Sequence, residues 1–184
     1  WTIPTWAHLS LIHGPDGKKL SKRHGALSVQ EYRDMGYLPS GLKNYLLKLG
    51  WSHGDDELYF DEQSITKVFS MKGVNSAPAR LDFDKMDYIN GQHIMRDNDE
   101  TLLSLLTTVI KSKNEYKLNG ALTKRLLDAM PSLKSRSKNI IDLADQAEYL
   151  LLSRPLNFTE NNKKTFRKNG ALDHLSALTF KLKC

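Results

Sequence analysis

Cysteine is almost missing from this chain: among 184 residues only Cys184 carries a thiol. An internal disulfide is therefore impossible and a cysteine-based zinc cluster is excluded, so any metal would have to arrive with a ligand. No apolar run approaches the roughly 20 residues needed to cross a bilayer. The start, Trp1-Thr2-Ile3-Pro4, has neither the basic head nor the apolar middle of a secretion signal. The expectation is a cytosolic protein with no membrane partner. Internal repeats and low-complexity tracts are absent too. With 40% hydrophobic and 26% charged residues, the composition is that of a soluble globular protein able to bury one or two cores.

What is present is unevenly spread. Residues 1–110 hold 12 Lys or Arg against 14 acids, and residues 111–184 hold 15 against 7, so the net charge of +6 divides into −2 and +8. A basic excess at one end fits a polyanion partner, because each phosphate neutralised by Lys or Arg releases counterions. The plainer reading of the same residues is a solvated lysine-rich surface.

The apolar stretch Trp6 to Ile12 alternates at Leu9 and Leu11 as a short strand would, then breaks at His13-Gly14-Pro15-Asp16-Gly17. Ser28 followed by Glu31 is a capping box that starts a short helix, which Gly36 can end. A second helix follows Pro39, with Leu42, Tyr45, Leu46 and Leu49 on one face and Gly50 closing it. Asp61 can cap a third that buries Ile65, Val68 and Phe69, and Asp82 a fourth that runs through Met86 and Ile89 to Asn90-Gly91. From Asp97 onward the pattern stays helical, with Leu102, Leu106, Val109 and Ile110, then Leu122, Leu126 and Met130, then Ile140, Leu143, Ala144, Ala147 and Leu151. Pro131 and Pro155 punctuate these segments. A last stretch carries Lys163, Lys164, Arg167 and Lys168 ahead of Leu172, Leu175 and Leu178. The fold class is mostly α with a short β element at the N-terminus.

Three chemistries compete for Lys18-Lys19-Leu20-Ser21-Lys22-Arg23. Gly14 and Gly17 do not give the spacing with which a P-loop wraps phosphate. The run has the composition of a nuclear import signal, a pattern that short basic stretches often match by chance. As a phosphate clamp it makes chemical sense: glycines on both sides permit closure, Lys19 and Lys22 project ammonium groups and Ser21 adds a hydroxyl donor.

The run His13 to Ala26 closely resembles the second signature of class I aminoacyl-tRNA synthetases, in the Lys-Leu-Ser-Lys-Arg form of bacterial glutamyl-tRNA synthetases. Tyr32, Gly36-Tyr37-Leu38-Pro39, Asn44-Tyr45-Leu46, Leu49-Gly50-Trp51-Ser52 with Gly54-Asp55, Ser76-Ala77-Pro78-Ala79, Phe83-Asp84-Lys85 and Ile89-Asn90-Gly91 continue the match. It is strong over Pro4 to Met95; beyond, only helices of the expected kind follow. The resemblance implies a helical bundle of stem-contact and anticodon-binding helices behind a short β remnant of the class I Rossmann catalytic domain. Its divisions would be residues 1–27, the end of the catalytic domain with the lysine loop; 28–100, a stem-contact helical domain; and 101–184, the first anticodon-binding helical domain.

It also implies ATP, brought with Mg2+ and with no metal held by the protein, as substrate. Lys19, Leu20, Ser21, Lys22 and Arg23 would bind it. Lys19, Ser21 and Lys22 would stabilise charge as glutamate attacks the α-phosphate, with Lys22 as the transition-state contact. Leu20 stands where the general class I pattern has methionine, and Arg23 where other class I enzymes often have serine. His24 reads as loop structure. The family's His-x-Gly-His run begins at none of His8, His13, His24, His53, His93 and His174, so the chain is expected to lack the glutamate site and to be inactive alone. The implied macromolecular partner is a glutamate tRNA, with a glutamine tRNA as a further acceptor. Candidate contacts are Lys134, Arg136 and Lys138, with Lys163, Lys164, Arg167 and Lys168. Phe158 and Phe166 could stack on bases, though aromatics at helical spacing are more often core. Trp51 reads as a plug rather than a tRNA contact. The alternative function is a non-catalytic tRNA-binding helical module.

Overall fold

The computed structural model describes residues 1–4, 6, 8–21, 27–54, 58–113, 116, 118–152, 160–166 and 170–182. Among them are two short strands and nine α-helices: β1 (Ile12–His13), α1 (Val29–Asp34), α2 (Pro39–Gly50), α3 (Glu62–Val68), β2 (Ala79–Arg80), α4 (Phe83–Arg96), α5 (Asp99–Ser112), α6 (Gly120–Lys134), α7 (Ile140–Leu151), α8 (Glu160–Phe166) and α9 (Ala171–Leu182). The expected fold class, mostly helical with a short β element near the N-terminus, is the one observed.

The chain divides into residues 1–151 and 152–184. In the first, two apolar cores form. One gathers Tyr32, Tyr37, Leu42, Tyr45, Leu81, Met86 and Ile89. The other takes one face each of α5, α6 and α7, with Leu102, Leu106, Leu126 and Leu143 fully buried. Each such leucine contributes about 1.5–3 kcal/mol by leaving water. The second unit holds α8 and α9, where Leu175, Leu178 and Phe180 are exposed.

Local signals account for most helix starts. Ser28 and Glu31 form the full capping box of α1, in which the Ser28 hydroxyl accepts the Glu31 amide hydrogen at 3.2 Å. The Ser28 amide donates to the Glu31 carboxylate at 2.6 Å and holds its pKa below the ordinary range. Gly36, at φ +85°, turns the chain out of α1. Asp61 and Asp82 cap α3 and α4.

Four expectations need correction. Among the described residues the N-terminal strand is Ile12–His13, two residues rather than seven: these two are in register with Ala79 and Arg80, while the side chains of Trp6, Leu9 and Leu11 face solvent. Helix α3 buries nothing: Ile65 and Val68 are half-covered and Phe69 is exposed, stacked on Trp51. Helix α4 runs past Asn90-Gly91 to Arg96. Asn90 does not stop it, since its fully buried amide accepts from Leu38 N at 2.9 Å and donates to the Lys138 carbonyl at 2.6 Å. Pro131 lies inside α6. Its missing N–H removes one bond near the helix end, and the burial of Met130 and Leu133 on either side holds the last turn in place.

Candidate functional site: the lysine turn and its mount

The segment from Ile12 to Ser21 is a tight reversal. Gly14 N donates to Lys18 O at 2.8 Å, Gly17 N to Gly14 O at 2.9 Å, and Leu20 N returns to Ile12 O at 2.9 Å. His13 and Lys19 form an antiparallel bridge across it. Gly17 sits at φ +76°, which L side chains rarely adopt, and the Asp16 carboxylate accepts from Lys18 N at 3.0 Å. Gly14 is buried, and a Cβ there would lie 2.9 Å from the Asp16 carboxylate. The tip of the turn is fixed by its own backbone. Lys18 and Lys19 project outward, exposed, while Leu20 and Ser21 are half-buried. Lys22 and Arg23, the remaining residues expected to bind ATP, fall outside the described residues.

The turn is mounted on β2. β1 pairs with it in parallel, Ile12 opposite Ala79 and His13 opposite Arg80, and Leu81 N donates to His13 O at 2.9 Å. One residue later Asp82 caps α4 through Lys85 N at 3.0 Å. A hollow of about 440 Å³ lies where turn and mount meet, lined by Pro15, Arg80, Leu81, Asp82, Phe83 and Asp84. The geometry offers two exposed lysines on a turn closed by its own backbone hydrogen bonds, a suitable arrangement for meeting a polyphosphate. Sequence reasoning quoted Ser76 to Ala79 only as part of a signature and missed β2 itself, since two residues are too few for any periodicity.

The basic residues proposed for RNA fall into different settings. Lys134 is largely covered, its ammonium 2.6 Å from the Asp99 carboxylate and 3.3 Å from the Asp97 carbonyl. Lys138 lies 3.5 Å from Asp87 but stays mostly exposed, and Arg136 is exposed in the same turn between α6 and α7. Together with Tyr88, Gln92 and Met95 of α4 they line a hollow of about 300 Å³. Lys163 pairs with Glu160 at 2.7 Å on α8, Lys164 beside it is exposed, and Arg167 and Lys168 lie outside the described residues. Phe166 is half-buried, while Phe158 falls outside the described residues.

Trp51 is 4% exposed, donates from Nε1 to the Ser70 carbonyl at 2.9 Å and stacks between His53 and Phe69. It is a packing residue, as expected. Nearby, His93 is buried against Phe60 and lies 2.9 Å from the Asn44 amide nitrogen; burial holds its pKa below the ordinary value.

Comparison with known proteins follows the same lines. Residues 1–88 match the profile of the class I tRNA synthetases for glutamate and glutamine, catalytic domain. Glutamate–tRNA ligase 2 of Maricaulis maris is 47% identical over 97% of this chain and 37% of its own length. Glutamate–tRNA ligase 2 of Paramagnetospirillum magneticum is 44% identical over the whole of this chain and 38% of its own. A glutamate–tRNA ligase from Elizabethkingia meningosepticum, solved in complex with its amino acid, superposes with a TM-score of 0.75 at 26% identity, over 97% of this chain and 38% of that one. This chain thus spans less than two-fifths of the length of these relatives. With the lysine signature on its turn, the likeness of sequence along the whole chain and the shared helical architecture, the chain belongs to the glutamyl-tRNA synthetase family of class I synthetases.

Proposed function

We propose that the protein is a glutamate–tRNA ligase, in which this chain supplies the ATP-phosphate turn and part of the tRNA-binding surface. Glutamate attacks the α-phosphate of ATP, pyrophosphate departs, and the glutamyl group passes from the adenylate to the 3′-terminal adenosine of tRNA. Lys19, Ser21 and Lys22 meet the phosphates, with Lys22 at the charge that develops in the transition state, and Leu20 and Arg23 complete the nucleotide contact. Magnesium enters with ATP. Residues 1–27 close the catalytic domain, 28–100 follow the tRNA stem and 101–184 reach toward the anticodon. The reaction belongs to the cytoplasm, where the translation machinery works.

What supports this most directly is the lysine turn itself: two exposed ammonium groups, Lys18 and Lys19, on a self-bonded reversal, inside the segment that matches the family's catalytic domain. Arg136, Lys138 and Lys164 are the favoured RNA contacts. Lys134 is assigned a weaker role, because its ammonium already answers Asp99.

The test is aminoacylation by the full-length protein, with glutamate tRNA and glutamine tRNA compared side by side. Charging of glutamate tRNA is expected; failure to charge either with glutamate refutes the proposal. The 184-residue chain alone should bind tRNA weakly, with an affinity that falls steeply with salt. RNA binding with no ATP chemistry in the full-length protein would leave the module reading in place of the enzyme.

A further inference from the structure

The lysine turn is tied to the helical body through a short series of hydrogen bonds that ends on a side chain with no role in the reaction described above. The turn closes on β1. β1 hangs on β2 through Ala79 N to Leu11 O at 3.2 Å and Leu81 N to His13 O at 2.9 Å. Leu81, 3% exposed, is sunk in the core of Tyr45, Met86 and Ile89. At Asp82 the chain leaves its extended path, at φ −132° and ψ 107°, and enters α4. The amide hydrogen of Asp82 is not part of the helix, and it is taken up by the hydroxyl of Tyr45 at 2.7 Å. Tyr45 comes from α2 and is 1% exposed, so its ring is held by packing and its hydroxyl is aimed at this one corner.

We propose that the Tyr45 hydroxyl is a positioning group for the lysine turn: by accepting the Asp82 amide hydrogen it fixes the β2-to-α4 corner from which β1, and with it Lys18 and Lys19, is hung. The inference rests on the reading of the turn as an ATP-phosphate site. Tyr45 touches no nucleotide; it acts through Asp82, Leu81 and His13. A two-residue strand pair has few other restraints, so a corner released by a few tenths of an ångström passes its displacement to the turn. Misplacement of about 1 Å can cost a reacting system as much as 100-fold.

Tyr45→Phe keeps the buried ring and removes only the acceptor, so the fold survives. Amide hydrogen exchange of the 184-residue chain is followed by NMR, and ATP–pyrophosphate exchange is measured on the full-length protein carrying the same substitution. In the variant, protection at Leu20, Ala79 and Leu81 should fall about tenfold while Leu106 and Leu143 in the other core keep theirs. The KM for ATP should rise, or kcat fall, by about tenfold, with tRNA affinity unchanged. Unaltered protection at the three amides, an equal loss at Leu106 and Leu143, or wild-type ATP kinetics in an active variant would each overturn the proposal. Absence of exchange activity in the wild-type protein would instead refute the synthetase reading, and the amide measurement alone would then decide whether Tyr45 ties the turn.

Discussion

Asn90 joins the two cores, and its removal should be expensive. It lies fully buried on α4, accepts the Leu38 amide hydrogen at 2.9 Å and donates to the Lys138 carbonyl at 2.6 Å. Leu38 itself is 3% exposed, so in Asn90→Ala its N–H has no water to turn to, a loss of about 1–3 kcal/mol. The Lys138 carbonyl is less enclosed and adds a smaller amount. The vacated side-chain volume adds more, because Gly41 packs directly against Asn90 and cannot fill the space. The expected total is about 3 kcal/mol. With a urea slope of about 1–3 kcal/mol per molar for a small domain, the midpoint of unfolding should drop by about 1–3 M. Asn90→Asp keeps the acceptor for Leu38 but sets a carboxylate against the Lys138 carbonyl. That variant should be unstable at neutral pH and recover as the acid protonates and can donate. A midpoint for Asn90→Ala within about 0.3 M of wild type would show that these two bonds do not join the cores.

Other expectations follow from the same structure. Lys134→Met should cost about 1 kcal/mol of stability while changing tRNA affinity little, whereas Arg136→Ala should weaken tRNA binding and leave the urea midpoint in place; a binding titration beside denaturation separates them. Gly36→Ala should lose about 2 kcal/mol or more, since the residue sits at φ +85° and a Cβ would lie 2.8 Å from the Ile141 amide nitrogen; a midpoint equal to wild type contradicts this. Burial disfavours the charged imidazolium of His93 and holds its pKa below that of the unfolded chain. The unfolded state therefore binds the proton first, so stability is full above about pH 6.5 and declines as pH falls through that value. Denaturation between pH 7.5 and 5.5 should show that slope in wild type and a shallower one in His93→Gln.

Much of the helical architecture was legible because short-range chemistry sets it. The Ser28–Glu31 box, Pro39 at the start of α2 and the aspartates before α3 and α4 act within one turn, and the apolar spacing of α5 and α7 names their buried faces. What escaped depends on partners distant in sequence. Asn90-Gly91 has the composition of a helix stop, yet Asn90 is occupied by Leu38 and Lys138. The parallel pairing of Ile12 with Ala79 spans a crossover that no local pattern announces. At the candidate site the signature identified the lysine run, but not that β2 and Tyr45 hold it. The basic residues could be counted, yet only the fold separates Lys134, which answers Asp99, from the exposed Arg136.

The central claim is that the lysine segment neutralises the phosphates of ATP while glutamate is activated. Its most direct test is glutamate-dependent ATP–pyrophosphate exchange by the full-length protein, wild type against Lys22→Ala, in the presence of tRNA. Exchange should fall by about 100-fold or more while the dissociation constant for tRNA stays within about twofold of wild type. Exchange that is unchanged, or that falls only as far as tRNA affinity does, would contradict the account.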